Sequence, residues 1–241
     1  MTAFVLVPGA GGQAWYWHLV IAELARAGYQ ARAVDLPATD PAAGLETYRD
    51  AIVASAAALE QPVTVVAQSL AGFSAPLACG RVPVERLVLV NAMIPLPGET
   101  AGEWWDHVGW DAAAQAAAEQ DGRPPVDVRD LDTLFFHDLP AEIVEVMRAD
   151  PDSATEAPTV FAEPWPLTAW PSVPTWVFAS RDDRLFPLSL QRHTASLRLG
   201  LAIQELPGGH LVALGHPHVL ADQLIRASNA EPASIDTDEP H

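Results

Sequence analysis

The stretch Val63-Thr64-Val65-Val66-Ala67-Gln68-Ser69-Leu70-Ala71-Gly72-Phe73 constrains the fold more than any other. Four apolar or β-branched residues run straight into a small-x-Ser-x-small turn, and an alanine-rich, helix-like stretch follows. A strand that turns directly into a helix at a serine leaves the hydroxyl exposed at the tip of the turn. The flanking residues must be small there, because strand and helix backbones come close. The usual pattern at such a turn is Gly-x-Ser-x-Gly; this chain has Ala67 and Ala71 instead. The same residues also read as an ordinary βα turn with Ser69 as helix N-cap, so the rest of the chain has to decide.

The alternation of elements decides the fold class. Phe4–Val7 is a continuous apolar run, as in a strand buried on both faces, and Pro8-Gly9-Ala10-Gly11-Gly12 ends it. Helical spacing follows from Trp15 to Ala27, with Gly28 as its stop. Ala31–Val34 reads as a strand, Leu45–Leu59 as a helix, and Val63–Ala67 as a strand. A helix to about Cys79 and a strand at Leu87–Val90 complete the first half. Strands alternating with helices in this way predict an α/β fold, a mostly parallel, doubly wound sheet. The alternation breaks at about Ile94 and resumes at about Val173. Between them lie Trp104, Trp105, Trp110, Trp165 and Trp170, with helical patterns near 111–120 and 140–149. So aromatic a stretch is not a disordered loop; it is expected to be a helical cap inserted over the carboxyl edge of the sheet, where open α/β sheets bind ligands. Thr175–Ala179 and Ala202–Leu206 are the last strands, with helices at Leu188–Leu199 and from Pro217 to about Ala227. The expectation is one domain over 1–241: a core of 1–93 and 173–227, a cap of about 94–172, and a disordered acidic tail of about 228–241.

Composition removes several chemistries. The 13 basic residues are all arginine, so Schiff-base and P-loop lysines are absent. Cys79 is the single cysteine, which excludes an intrachain disulfide; within a helix it reads as a small buried hydrophobe rather than a nucleophile. The formal net charge of −18 offers no electrostatic footprint for nucleic acid. Residues 99–163 hold sixteen Asp and Glu against Arg123, Arg129 and Arg148, a solvated face that disfavours polyanions. No apolar run approaches a membrane span, and Met1-Thr2-Ala3 leads into a strand with no basic leader, so a cytoplasmic protein is expected. No dinucleotide fingerprint is present, and no metal or organic cofactor is called for. Nothing in the sequence decides between monomer and homodimer.

A serine nucleophile needs a base within hydrogen-bond reach and a third group to orient that base. In this architecture both follow the serine on loops after late strands, in the order Ser, acid, His. Ser180-Arg181-Asp182-Asp183-Arg184 supplies a carboxylate after the strand at 175–179, either Asp182 or Asp183. Pro207-Gly208-Gly209-His210-Leu211 supplies the histidine after the last strand, in a loop whose glycines allow a tight turn. His210 can take the Ser69 proton and return it to a leaving group. Two backbone N–H groups are needed for developing negative charge: Leu70, directly after the serine, and Ala10 in the glycine-rich first loop. His137 is a candidate to line the pocket from the cap. The cap tryptophans, Trp104 among them, with Trp15 and Trp17 point to an apolar or aromatic substrate group.

With those residues in place the chain resembles the α/β-hydrolase superfamily over nearly its whole length. Phe4–Ala10, Trp15-Tyr16-Trp17, Asp183–Pro187 and Gly208-Gly209-His210 resemble the branch that holds plant methyl-ester esterases, hydroxynitrile lyases and bacterial esterase relatives. The resemblance implies Ser69 as nucleophile, His210 as base, Asp183 rather than Asp182 as acid, and Ala10 and Leu70 as oxyanion donors. Pro8 stands where the branch usually has His before Gly, and Gln68 replaces the usual His before the serine. The lyases share a threonine at the position of Gly9 and a lysine directly after the histidine, where this chain has Leu211. The resemblance therefore implies hydrolysis of a small uncharged carboxylic ester, with Gly9 and Leu211 at the pocket. A lyase or cofactor-free perhydrolase on the same scaffold, and a non-catalytic binding homologue, are the alternatives.

Overall fold

A computed structural model describes residues 2–124, 127, 130–150 and 155–232. Six parallel strands form one sheet in the order β2-β1-β3-β4-β5-β6. They are β1 (Ala3–Val7), β2 (Ala31–Ala33), β3 (Val63–Gln68), β4 (Val84–Val90), β5 (Thr175–Ser180) and β6 (Ile203–Leu206). The first half holds helices α1 (His18–Arg26), α2 (Leu45–Ala57) and the short α3 (Ala71–Ser74). The cap holds α4 (Ala101–His107), α5 (Trp110–Gln120), a π-helical turn at Asp132–Phe136, α6 (Ala141–Ala149) and α7 (Pro158–Ala162). The core then resumes with α8 (Leu188–Leu199), α9 (Val212–Gly215) and α10 (Pro217–Ala227).

The apolar strand runs are buried on both faces because helices cover both. Val5, Val7, Val65, Ala67, Leu87, Leu89 and Val177 pack toward α2 and α8. Their neighbours Phe4, Leu6, Val66, Val88, Val90 and Phe178 pack toward α1 and α10. The period of two along each strand thus divides one apolar run between two cores.

Local details differ from the sequence reading where a backbone group is missing or a turn tightens. The helix after Ser69 is interrupted: α3 ends at Ser74, and a 3-10 turn carries Ala75–Ala78. Pro76 has no N–H to continue the α ladder. Cys79 falls just beyond that turn, in an isolated bridge to Val82, rather than in a helix. Burial pushes its thiol up to about 12, so it stays protonated. The first turn at Ala14–Trp17 is likewise 3-10 before α1 begins, and β4 starts three residues before Leu87. Of the tail expected to be disordered, residues 233–241 lie outside the described residues.

The cap is tied to the core through tryptophan N–H groups. Trp104 Nε1 donates to the Ile94 carbonyl at 3.2 Å, Trp110 Nε1 to Leu185 O at 2.6 Å, and Trp165 Nε1 to Phe73 O at 3.0 Å. Each buries a large apolar body while its one polar atom is satisfied. A buried ion pair reinforces this seam. Arg198 of α8 binds Glu99 through two bonds of 2.5 and 2.9 Å and also donates to Ile94 O at 2.6 Å. Among the described residues no helix is long and apolar enough to cross a membrane.

Candidate active site

The turn after β3 holds Ser69 at φ 53°, left-handed backbone that a non-glycine residue rarely adopts. Ala67 and Ala71 at the flanking positions are buried, so a methyl group fits at both. The closest backbone approach falls one residue further on. A Cβ added at Gly72 would lie 1.8 Å from the Met93 carbonyl oxygen. The glycine that lets α3 descend against the sheet is therefore Gly72, which the Gly-x-Ser-x-Gly pattern does not reveal.

Ser69 lies 3.0 Å (Oγ) from His210 Nε2, and His210 Nδ1 lies 2.8 Å from Asp183 Oδ2. A carboxylate only accepts, so the ring proton belongs on Nδ1, leaving Nε2 to accept from the serine hydroxyl. Asp183 is held in turn: its Oδ1 accepts from the Leu185 and Phe186 N–H groups at 2.9 and 2.8 Å. Asp182 points elsewhere, accepting from Gly208 N–H at 3.3 Å. The rings of Phe135 and Phe186 meet the imidazole edge-on at centroid distances of 5.4 and 5.1 Å. Asp183 and His210 are both buried, 4 and 1 % exposed, which keeps water from competing for their hydrogen bond.

Two neutral amides fix the loops around this chain, and sequence reasoning did not assign them a role. Gln68 accepts from Gly9 N–H through Oε1 at 3.0 Å and donates from Nε2 to His210 O at 3.4 Å. It therefore joins the first loop to the histidine loop. Asn91, fully buried after β4, donates from Nδ2 to His210 O at 3.1 Å and to Ser180 Oγ at 2.9 Å. Its Oδ1 accepts from Ser180 N–H at 2.8 Å. Each carboxamide supplies a donor and an acceptor on one uncharged side chain, and both are used here. The signal in the sequence was a carboxamide directly after each of two apolar runs, Gln68 after Val65-Val66-Ala67 and Asn91 after Leu87–Val90.

Ser69, His210, Gln68, Ala10, Leu70 and Leu211 line a cavity of about 500 Å³, otherwise walled by apolar side chains including Trp105, Phe135, Phe161 and Leu185. Gly9 and Trp15 do not line it; both face an adjoining cleft of about 250 Å³. Three expected lining residues lie elsewhere. Trp17 is fully buried in the core between the sheet and α1. Trp104 is buried behind Phe186 at 5.0 Å and spends its N–H on the cap seam, so Trp105 rather than Trp104 reaches the cavity. His137 faces a polar groove on the far side of Asp183, together with Arg184. There burial, then the Arg184 charge, pulls its pKa down. Among the described residues no group of three or more His, Cys, Asp or Glu side chains is placed to hold a metal ion.

A parallel sheet with a Ser–His–Asp hydrogen-bonded chain at its carboxyl edge, under a helical cap, defines a class of architecture. The chain belongs to the alpha/beta hydrolase family, whose profile matches residues 4–223. It is 27 % identical over 250 aligned residues to "Probable esterase PIR7A" of Oryza sativa subsp. indica, covering 92 % of this chain and 95 % of the relative. "Esterase PIR7B" of Oryza sativa subsp. japonica is 35 % identical over 111 residues, 41 % of each chain. Among solved structures, polyneuridine aldehyde esterase superposes with a TM-score of 0.75 at 20 % identity, over 95 % of this chain and 99 % of that one. A pyrethroid hydrolase from Sphingobium faniae JZ-2 gives 0.73 at 22 % identity, over 95 and 98 %. The methylesterase MES16 from Arabidopsis gives 0.71 at 21 %, over 95 and 99 %. At these identities the structural likeness establishes a shared fold.

Proposed function

We propose that the protein is a serine hydrolase that cleaves an uncharged carboxylic ester through an acyl-enzyme on Ser69. The observation that carries this reading is the continuous hydrogen-bonded chain from Ser69 Oγ through His210 to Asp183, opening into an apolar cavity. The esterase relatives support the same chemistry. In this reading His210 Nε2 takes the serine proton as Oγ bonds to the ester carbonyl carbon. The oxyanion is held by the Ala10 and Leu70 N–H groups. His210 passes the proton to the alkoxy oxygen, the C–O bond breaks, and the alcohol leaves. Water then adds to the acyl-enzyme, giving its proton to His210, which returns it to Ser69 as the acid departs.

The lyase alternative loses support at two positions. A Cβ at Gly9 would lie 2.5 Å from Gln68 Oε1 and 2.7 Å from Ser69 Cβ, so the lyase threonine does not fit this loop. Leu211 lines the cavity in place of the lysine that would hold a departing cyanide. The deciding test pairs fluorophosphonate labelling with turnover of p-nitrophenyl butyrate, in the wild type and in Ser69→Ala. Loss of both in the variant supports the reading. A folded wild type that neither labels nor turns over contradicts it.

A further inference from the structure

Asp183 is held from a side that the reacting chain does not use. On α8, Gln191 Nε2 donates to the Phe186 carbonyl at 2.7 Å and to Asp183 Oδ2, the oxygen that faces His210, at 3.4 Å. Both partners only accept, and the amide nitrogen has two protons to give. Turned the other way, the amide would set its oxygen against a carboxylate and a carbonyl, so these partners fix its orientation. Asp183 then accepts four hydrogen bonds: the Leu185 and Phe186 N–H groups on Oδ1, His210 and Gln191 on Oδ2. Of those four donors, Gln191 is the one side chain besides the histidine.

A second, independent observation lies at the other end of the same amide. With Nε2 turned toward Asp183, Gln191 Oε1 is buried and has no hydrogen-bond partner among the described residues. Thr194 Oγ1, three residues along α8, is buried and has none either. Residues three apart share a helix face, and both side chains line one small cavity of about 10 Å³. The other residues in its wall, Trp104 and Phe186 among them, are apolar and buried. A cavity of that size has room for about one water, which needs at least two polar partners. The two orphan oxygens are those partners: one water can donate to Gln191 Oε1 and bond the Thr194 hydroxyl.

Resting on the serine-hydrolase reading, we propose that Gln191 is a positioning residue for Asp183, held in turn by one buried water shared with Thr194. The water fixes Oε1. The amide plane then directs one N–H at the Phe186 carbonyl and the other at Asp183 Oδ2, and the carboxylate keeps that oxygen toward His210 Nδ1. The hydrogen-bonded chain from Ser69 thus continues through Asp183 into α8. Gln191 also sets the strength of the next bond in the chain. Oδ2 divides its charge between two donors, so removing one strengthens its bond to the other.

The test pairs Gln191→Met, which keeps the reach of the side chain and removes both N–H groups, with Thr194→Val, which removes only the hydroxyl. Gln191→Met is expected to lower kcat for p-nitrophenyl butyrate about ten-fold. KM should stay within a factor of two, because acylation and deacylation both run through His210. The proton NMR resonance of His210 Nδ1–H should move downfield in this variant, since Oδ2 has lost its competing donor. Thr194→Val should move kcat and the resonance the same way by a smaller amount. A crystal structure of the wild type should show one water within hydrogen-bond distance of Gln191 Oε1 and Thr194 Oγ1, gone in Thr194→Val. A Gln191→Met protein with a lower thermal midpoint but unchanged kcat and resonance would make the amide a loop tie alone and overturn the positioning role. No density between Oε1 and Oγ1 would overturn the water. Should Gln191→Met fail to fold, Thr194→Val carries the same two readouts. The resonance and the water are read without turnover, so a wild type that neither takes a fluorophosphonate label nor cleaves any ester would overturn the hydrolase reading itself.

Discussion

At the scale of single residues, the site is held by neutral hydrogen bonds more than by charge. Asp183 keeps the imidazole in one tautomer, so Asp183→Asn is expected to lower kcat about 10⁴-fold while leaving the fold intact. Steady-state kinetics beside a circular-dichroism melt checks this. Gln68 acts at one remove, through Gly9 and His210. Gln68→Met leaves a buried N–H and a buried carbonyl without their partner, at about 1–3 kcal/mol of misplacement. The expected result is a ten- to hundred-fold fall in kcat with KM within a factor of two. Gln68→His, which restores a donor and an acceptor, should recover most of it. A fall in thermal midpoint with kcat unchanged would make Gln68 merely structural. Gly72 is the residue that sequence pattern missed. The elbow reads as Ala-x-Ser-x-Ala, but the steric limit sits one residue later, where the Met93 carbonyl leaves no room for a methyl group. Such an approach depends on how a turn meets a neighbouring strand, and the spacing of small residues alone does not carry it.

At the scale of elements, strands and core helices were legible because burial imposes a period. The apolar runs at 4–7, 63–67, 87–90 and 175–179 all lie in strands of one parallel sheet. The helices at 188–199 and 217–227 begin and end where capping and turn residues placed them. The cap was legible as helical, but the use of its tryptophans was not. An aromatic residue reads as apolar from sequence, whereas Trp104, Trp110 and Trp165 are placed by the single N–H each must satisfy. The same seam makes a stability prediction. Burial pushes the Glu99 carboxyl up, but the bonds from Arg198 and His107, with the Leu96 N–H, outweigh it and hold the pKa below its ordinary value. A carboxylate with a depressed folded-state pKa contributes stability that is complete above its unfolded value near 4.5 and is lost as pH falls through the lower folded value. Arg198→Met strands the Glu99 charge and is expected to cost about 3–5 kcal/mol at neutral pH. In urea titrations the variant's deficit should shrink as pH falls toward and through about 4.5, because burial without the Arg198 bonds raises the carboxyl and its protonation removes the stranded charge. A deficit independent of pH would contradict this assignment.

At the scale of the whole molecule, a net charge of −18 without a single lysine sets the response to salt. Self-repulsion of the acidic surface opposes compaction, and exposed arginine pairs such as Arg148–Asp132 return little. Raising ionic strength from about 0.01 to 0.3 M shortens the Debye length from about 30 Å to well below 10 Å. The thermal midpoint should therefore rise by a few degrees. A fall would mean that surface ion pairs outweigh repulsion. The fold class follows from the sequence through alternation, and a parallel sheet brings the carboxyl-end loops that carry Ser69, Asp183 and His210 together, while their order along the chain is legible only through the family resemblance. The pocket does not follow, since its walls come from cap turns whose placement depends on packing across the sheet edge. One measurement bears on the central claim most directly: stoichiometric fluorophosphonate labelling of the intact protein, read by mass, in wild type and Ser69→Ala. The account predicts one adduct per chain on wild type, localised to the peptide carrying Ser69, and none on the variant. An unlabelled wild type with a normal melt, or equal labelling of the variant, would contradict it.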